Sequence, residues 1–136
     1  MAEKESEELK KKEHLYRGQT LEYLKNLGIR EAAKFLPSRD RRTVLRNFDT
    51  IEKFVKRCET KIARKKKIKT HLRDVVIVPK MVGMTIGIYN GKNFQDILIT
   101  IEMIGHRLGE FALTRVKAIH TTMGIGATKS SRSLKK

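Results

Sequence analysis

The stretch Met84-Thr-Ile-Gly-Ile-Tyr-Asn-Gly-Lys-Asn-Phe-Gln-Asp-Ile-Leu-Ile-Thr-Ile101 decides how the chain is read. Two runs rich in β-branched and aromatic residues, Met84 to Tyr89 and Phe94 to Ile101, flank Asn90-Gly91. Asn-Gly between such runs is a strong hairpin signal, because both central positions of a type I′ turn need positive φ. The stretch therefore reads as two antiparallel strands. Just upstream, Val75-Val-Ile-Val78 is a β-branched run closed by Pro79, which predicts a third strand buried on at least one face. Downstream, Glu102 to Leu108 has room for one or two helical turns with Gly109 as their stop, and Phe111 to Val116 for a last strand.

Towards the N-terminus the period changes from strand to helix. Asp49 followed by Glu52 gives a capping-box pattern ahead of a helix whose Ile51, Phe54, Val55, Cys58 and Ile62 share one stripe. Lys53, Lys56, Arg57, Arg64 and Lys67 point the other way, so one face packs and the other meets solvent or phosphate. Three shorter helices precede it. Thr20 can cap one running to Leu27 and ended by Gly28; Ile29 to Leu36 forms a second, halted by Pro37; Ser38 caps a third carrying Arg39, Arg41, Arg42 and Arg46. Helices followed by a small antiparallel three-stranded sheet with a short helix define an α+β class. The divisions are a charged N-terminus (1–13), expected to be disordered or a frayed helix end, a basic helical extension (14–68), an α+β core (69–116) and a basic Gly/Ser-containing tail (117–136), expected to be flexible.

The charge is uneven. The 136 residues carry 31 Lys and Arg against 15 Asp and Glu, a formal net charge of +16. Residues 30–73 account for net +11 and residues 115–136 for net +6, whereas residues 74–114 are net −1. An almost neutral apolar centre is thus bracketed by cationic flanks. The counterpart this implies is a polyanion, since neutralising phosphates releases condensed counterions. A solvated face kept only for solubility usually mixes both signs. An anionic membrane surface fits less well, because the cationic helix has a stripe sized for packing rather than lipid insertion. No run reaches the roughly 18 apolar residues a membrane span needs. The start, with Glu3, Lys4, Glu5, Glu7 and Glu8, lacks the apolar segment of a secretory signal, and the single cysteine, Cys58, permits no internal disulfide. A small soluble protein of a reducing compartment is expected.

Catalytic readings are weak. Gly87-Ile-Tyr-Asn-Gly91-Lys92 lacks the spacing and the Ser/Thr of a phosphate loop. His14, His71, His106 and His120 are far apart with no ligand-like spacing, so no metal or other cofactor is expected. His71 and His106 together could in principle cleave RNA by acid–base chemistry, yet Asp74, Asp96, Glu102 and Glu110 are few carboxylates to orient them; no catalytic residue is assigned. A non-catalytic nucleic-acid binder follows. RNA is favoured over DNA because the cations are divided among a helix cluster, loops and a tail rather than gathered on one recognition helix. A chaperone of arbitrary nucleic acids is the reading that composition alone allows.

At Lys69 the letters themselves become informative. Lys69-Thr-His-Leu-Arg-Asp-Val-Val-Ile-Val-Pro79, Met81-Val-Gly83, Ile88-Tyr-Asn-Gly-Lys92 with Phe94, and Glu102-Met-Ile-Gly-His106 with Leu108-Gly-Glu-Phe111 resemble the universal small-subunit ribosomal protein family numbered nineteen in bacteria and fifteen in eukaryotes. Gly124-Ile-Gly-Ala-Thr128 with Ser130-Ser-Arg132 resembles the eukaryotic and archaeal branch, as does the extension with Ser38-Arg39 and Arg41-Arg42. Met123 stands where that branch usually has Pro, Ser133 replaces its aromatic, and Pro37 enters a normally helical stretch. The resemblance implies a structural, non-enzymatic constituent of the small-subunit head that binds ribosomal RNA and serves translation and subunit assembly. It further implies that the chain adjoins the protein numbered thirteen, lies near the bridge to the large subunit, and extends a tail with Lys129 and Arg132 toward the decoding region and transfer RNA. A cytoplasmic ribosome, reached by nuclear or nucleolar passage, is the implied location, with no membrane partner. The RNA-facing positions so implied are Lys69, Thr70, His71, Arg73, Asn90, Gly91, Lys92, His106 and Arg107, together with Arg41 and Arg42.

Overall fold

The computed structural model describes residues 15–117. The expected disorder of 1–13, His14, His120, and the tail with Lys129 and Arg132 lie outside them. Four helices come first: α1 (Leu21–Asn26), α2 (Ile29–Ala32), α3 (Ser38–Arg46) and α4 (Phe48–Ala63). Strands β1 (Ile68–Thr70), β2 (Thr85–Tyr89) and β3 (Phe94–Leu98) follow, with 3-10 turns at Ala33–Phe35, Pro79–Met81, Ile101–Met103 and Leu108–Glu110. The class is α+β, as the sequence led us to expect.

The sheet differs in one respect. Its order is β1-β2-β3, with β2 antiparallel to β3 but β1 parallel to β2, so it is mixed. The first strand is Ile-Lys-Thr at 68–70, not the valine run. Three residues are too short to declare a period, and this strand alternates buried, exposed, buried. Val75 to Val78 runs instead through the interior: Val76 and Ile77 are fully enclosed, and the segment bonds to the chain from Gly105 to Gly109. Ile77 N–H donates to His106 O at 2.8 Å and Leu108 N–H to Val75 O at 3.0 Å, yet only a single bridge, Val76 with Arg107, forms. The ladder goes no further because its partner coils into 3-10 turns on either side and Pro79 has no N–H to offer. Glu102 to Leu108 is therefore not one helix, Gly109 lies inside the second 3-10 turn rather than ending it, and no strand covers Phe111 to Val116.

The helices largely follow their apolar spacing. On α4, Ile51, Phe54, Val55 and Cys58 are buried, and burial pushes the Cys58 thiol up to about 11. Ile62 is 47% exposed, because the last turn of α4 lines an open cleft beside Lys65, Met84 and Thr85. The start of α4 is at Phe48, with Asn47 as its cap, so Asp49 sits in the first turn, where its charge suits the helix dipole. Asn47 also closes α3, which leaves the two helices abutting. Pro37 ends the turn at Ala33–Phe35 and stands as the cap of α3, one residue ahead of the Ser38 we expected. Leu36, Val44, Ile77, Met81, Ile86, Ile88, Ile99 and Leu108 are fully buried in one core shared by helices and sheet.

Replacing Ile77 with Ala opens a cavity at the centre of that core. The expected loss is about 2–5 kcal/mol, read as a lowered midpoint in a denaturant melt.

Candidate nucleic-acid interface

The hairpin end is built by its own backbone. Tyr89 pairs with Phe94, and a four-residue loop, 90–93, joins them. A type I′ turn would need positive φ at both Asn90 and Gly91, but only Gly91 has it, at +96°. Asn90 works through its side chain instead: Oδ1 accepts N–H bonds from Lys92 at 3.0 Å and Asn93 at 2.8 Å. That carbonyl is committed to shaping the loop. A Cβ on Gly91 would meet nothing within 4 Å, so its backbone angle, not crowding inside the protein, is what requires glycine. Lys92 is exposed in this loop.

Three rings gather beside it. The centroids of His71 and Tyr89 are 4.5 Å apart, of His71 and Phe94 5.1 Å, and of Tyr89 and Phe94 5.2 Å. The Lys69 ammonium lies 5.2 Å from the Phe94 ring centroid, within cation–π range. Tyr89 OH donates to Gly91 O at 2.9 Å, which ties ring and loop together. Tyr89 and Phe94 are not among the RNA-facing positions expected from the sequence. The cross-strand pair that closes a hairpin was the signal available: residues flanking Asn-Gly-Lys-Asn must face one another.

Thr70 and Arg73, both expected to meet RNA, are turned inward. Thr70 is 6% exposed, and its hydroxyl oxygen accepts the Leu72 N–H at 3.0 Å, shaping the turn after β1. The Arg73 guanidinium donates to the carbonyls of Tyr89, Gly109 (2.8 Å) and Ala112 (2.6 Å). Gly109 makes room for it: a Cβ there would come within 3.0 Å of both the Arg73 carbonyl oxygen and its Cβ. Arg73 thereby joins the hairpin end to the turn at Leu108–Glu110, the second group of candidate residues.

In that turn, Glu110 Oε1 accepts the Arg107 N–H at 3.0 Å, and Oε2 lies 2.8 Å from His106 Nδ1. The Arg107 backbone bond, helped by His106 and opposed by slight desolvation, holds the Glu110 carboxyl below its ordinary value of 4.5. His106 also packs edge-on to Phe111, at 5.9 Å between centroids. His71 and His106 thus have different neighbours, two aromatic rings for the one and Glu110 with Phe111 for the other. Arg41 and Arg42 are exposed on α3.

The charge is largely uncompensated. Residues 15–117 hold 23 Lys and Arg against 10 Asp and Glu, and the ion pairs among the described residues are Lys56–Glu52 at 3.0 Å, Lys67–Asp96 at 4.0 Å and His106–Glu110. Among the same residues no group of His, Cys, Asp or Glu is placed to hold a metal, and no helix is long and apolar enough to cross a membrane.

Two tests follow from this geometry. Arg73→Gln should lower the melting point by the equivalent of about 1.5–3 kcal/mol, the worth of bonds from a charged donor, while the salt dependence of RNA binding keeps its slope; a shallower slope with an unchanged melt would make Arg73 a phosphate contact. Glu110→Gln removes a carboxyl whose folded value is depressed, so the wild-type advantage is present above the ordinary carboxylate range and is lost as pH falls through the depressed value. Paired thermal melts between about pH 3 and 7 read it.

Residues 39–120, more than half of the chain, match the family model described as Ribosomal protein S19.

Proposed function

Because the chain belongs to the ribosomal protein S19 family, whose members are small-subunit ribosomal proteins that bind ribosomal RNA, we propose that it docks in the head of the small subunit through the hairpin end and the Gly105–Glu110 turn. The observation that carries this reading is the hairpin end itself. Exposed Lys92 lies in the fixed loop, and exposed His71 and Lys69 contact the Tyr89 and Phe94 rings that flank it, with the ion pair of Lys67 and Asp96 as the nearby acidic contact. Lysines there meet phosphate as point charges, while the Gly91 backbone, open on its outer side, allows close approach. His106 and Arg107 extend the surface to the second turn, and Arg41 and Arg42 on α3 add cations outside both groups.

The same reading gives the rest of the assignment. The chain adjoins the head protein numbered thirteen, near the bridge to the large subunit, and its basic end with Lys129 and Arg132 runs toward the decoding region and transfer RNA. It acts as a structural constituent in translation, works on the cytoplasmic ribosome and joins the subunit during assembly, after nuclear or nucleolar passage. What supports these placements is the family membership together with a cationic composition that favours an irregular RNA recognised by shape.

The experiment is a binding titration of the full chain on a fragment of small-subunit head RNA and on an unrelated RNA of equal length. A preference for the head fragment is expected, and equal affinity would defeat the reading. Lys92→Ala should flatten the plot of log affinity against log salt by about one unit, and an unchanged slope would remove Lys92 from the phosphate contacts.

A further inference from the structure

Phosphate contacts explain lysines but not rings. His71, Tyr89 and Phe94 form a triangle of aromatic side chains with every centroid separation between 4.5 and 5.2 Å. None of the three belongs to the buried core; His71 is exposed and the other two are half-buried. A cluster that merely stabilised the hairpin would be expected to bury its outermost member. Here the most exposed member is an imidazole; the Lys69 ammonium lies over the Phe94 ring, and exposed Lys92 sits in the loop that joins the two strands.

The cluster is also held still. Arg73 grips the Tyr89 carbonyl, the Tyr89 hydroxyl is bonded to Gly91 O, and Tyr89 and Phe94 are a register pair of the β2–β3 ladder. His71 follows Thr70, whose ladder partner Ile88 precedes Tyr89, so the parallel register itself delivers the imidazole to the tyrosine ring. A rigid aromatic surface bordered by cations matches the chemistry of an unstacked nucleotide: the base finds a flat π surface, and its phosphates find ammonium groups. A double helix could not use it, because its bases are already stacked on one another.

We propose that His71, with Tyr89 and Phe94 behind it, is a stacking site for one unpaired nucleobase. This rests on the reading that the chain binds RNA, and it adds a contact of a different kind: one that reads the absence of pairing. Arg73 is a positioning residue for it, because it fixes the end of β2.

Stacking and phosphate contact leave different signatures. Losing a stacked base weakens binding by roughly tenfold to a hundredfold at every salt concentration, whereas losing a phosphate contact changes the slope. The full chain and its His71→Ala and His71→Phe variants are titrated, over a salt series, on the head RNA fragment and on a short single-stranded oligoribonucleotide carrying 2-aminopurine. Thermal melts of the variants confirm folding. The expected result is a parallel downward shift for His71→Ala with the slope retained, recovery in His71→Phe, and 2-aminopurine fluorescence quenched by the wild type and by His71→Phe but not by His71→Ala. A reduced slope that His71→Phe does not repair would make His71 a phosphate donor and overturn the proposal, as would unchanged affinity or absent quenching. These outcomes are separable from failure of the head-RNA assignment, since quenching of the oligoribonucleotide does not depend on any preference for ribosomal RNA.

Discussion

One guanidinium connects parts of this fold that no β ladder joins. Arg73 reaches the last carbonyl of β2 at Tyr89 and two carbonyls beyond the Leu108 turn, at Gly109 and Ala112. Backbone carbonyls at such places have no partner in a sheet or helix, and leaving them unmet in a half-buried joint is costly. A planar, permanently charged group with several N–H donors can serve three of them at once, which a lysine ammonium does with less geometric definition. The hairpin end and the His106 turn are thereby held as one surface. The residues that would touch a ligand owe their positions to a residue that faces inward.

The core explains why so cationic a chain folds at all. Residues 74–114, nearly neutral, supply the valine run, Met81, Ile86, Ile88, Ile99 and Leu108, all buried, while no Lys or Arg among the described residues is fully buried. Like charges held apart on the periphery repel weakly at physiological ionic strength, because the Debye length is about 8 Å. α4 shows the division within one element: four apolar residues seal against the core, and Lys53, Lys56 and Arg57 stay exposed on the other side.

What the sequence made legible tracks where a local signal is strong. The helix over Ile51 to Cys58 was readable because burial imposes a period on its residues, and the two strands around Asn90-Gly91 because β-branched and aromatic runs flank a turn signal. The valine run was readable as buried but not as unladdered: continuous apolar residues report enclosure, and nothing in them reports whether the neighbouring backbone is straight enough to pair. β1 was missed for the opposite reason, since Ile-Lys-Thr is too brief to announce its alternation. Thr70 and Arg73 show the limit at the candidate site. A threonine and an arginine beside Lys69 and His71 look alike in a basic stretch, and only the register of β1 against β2 decides that Thr70 points inside and that Arg73 meets free carbonyls.

The hairpin loop carries the same lesson about function. Asn-Gly announces a turn whatever the turn does, and here the first three residues of the four-residue loop contribute differently. Asn90 closes the loop through its side chain, which accepts the Lys92 and Asn93 N–H bonds, Gly91 supplies the one positive φ, and the Lys92 side chain is left exposed. A lysine whose ammonium has no hydrogen-bond or ion-pair partner among the described residues, beside a glycine whose outer side is open, is placed for a ligand that brings its own negative charge. Because the loop is closed by internal bonds before any ligand arrives, little ordering remains to be done on binding, and the electrostatic attraction is not consumed in organising the protein.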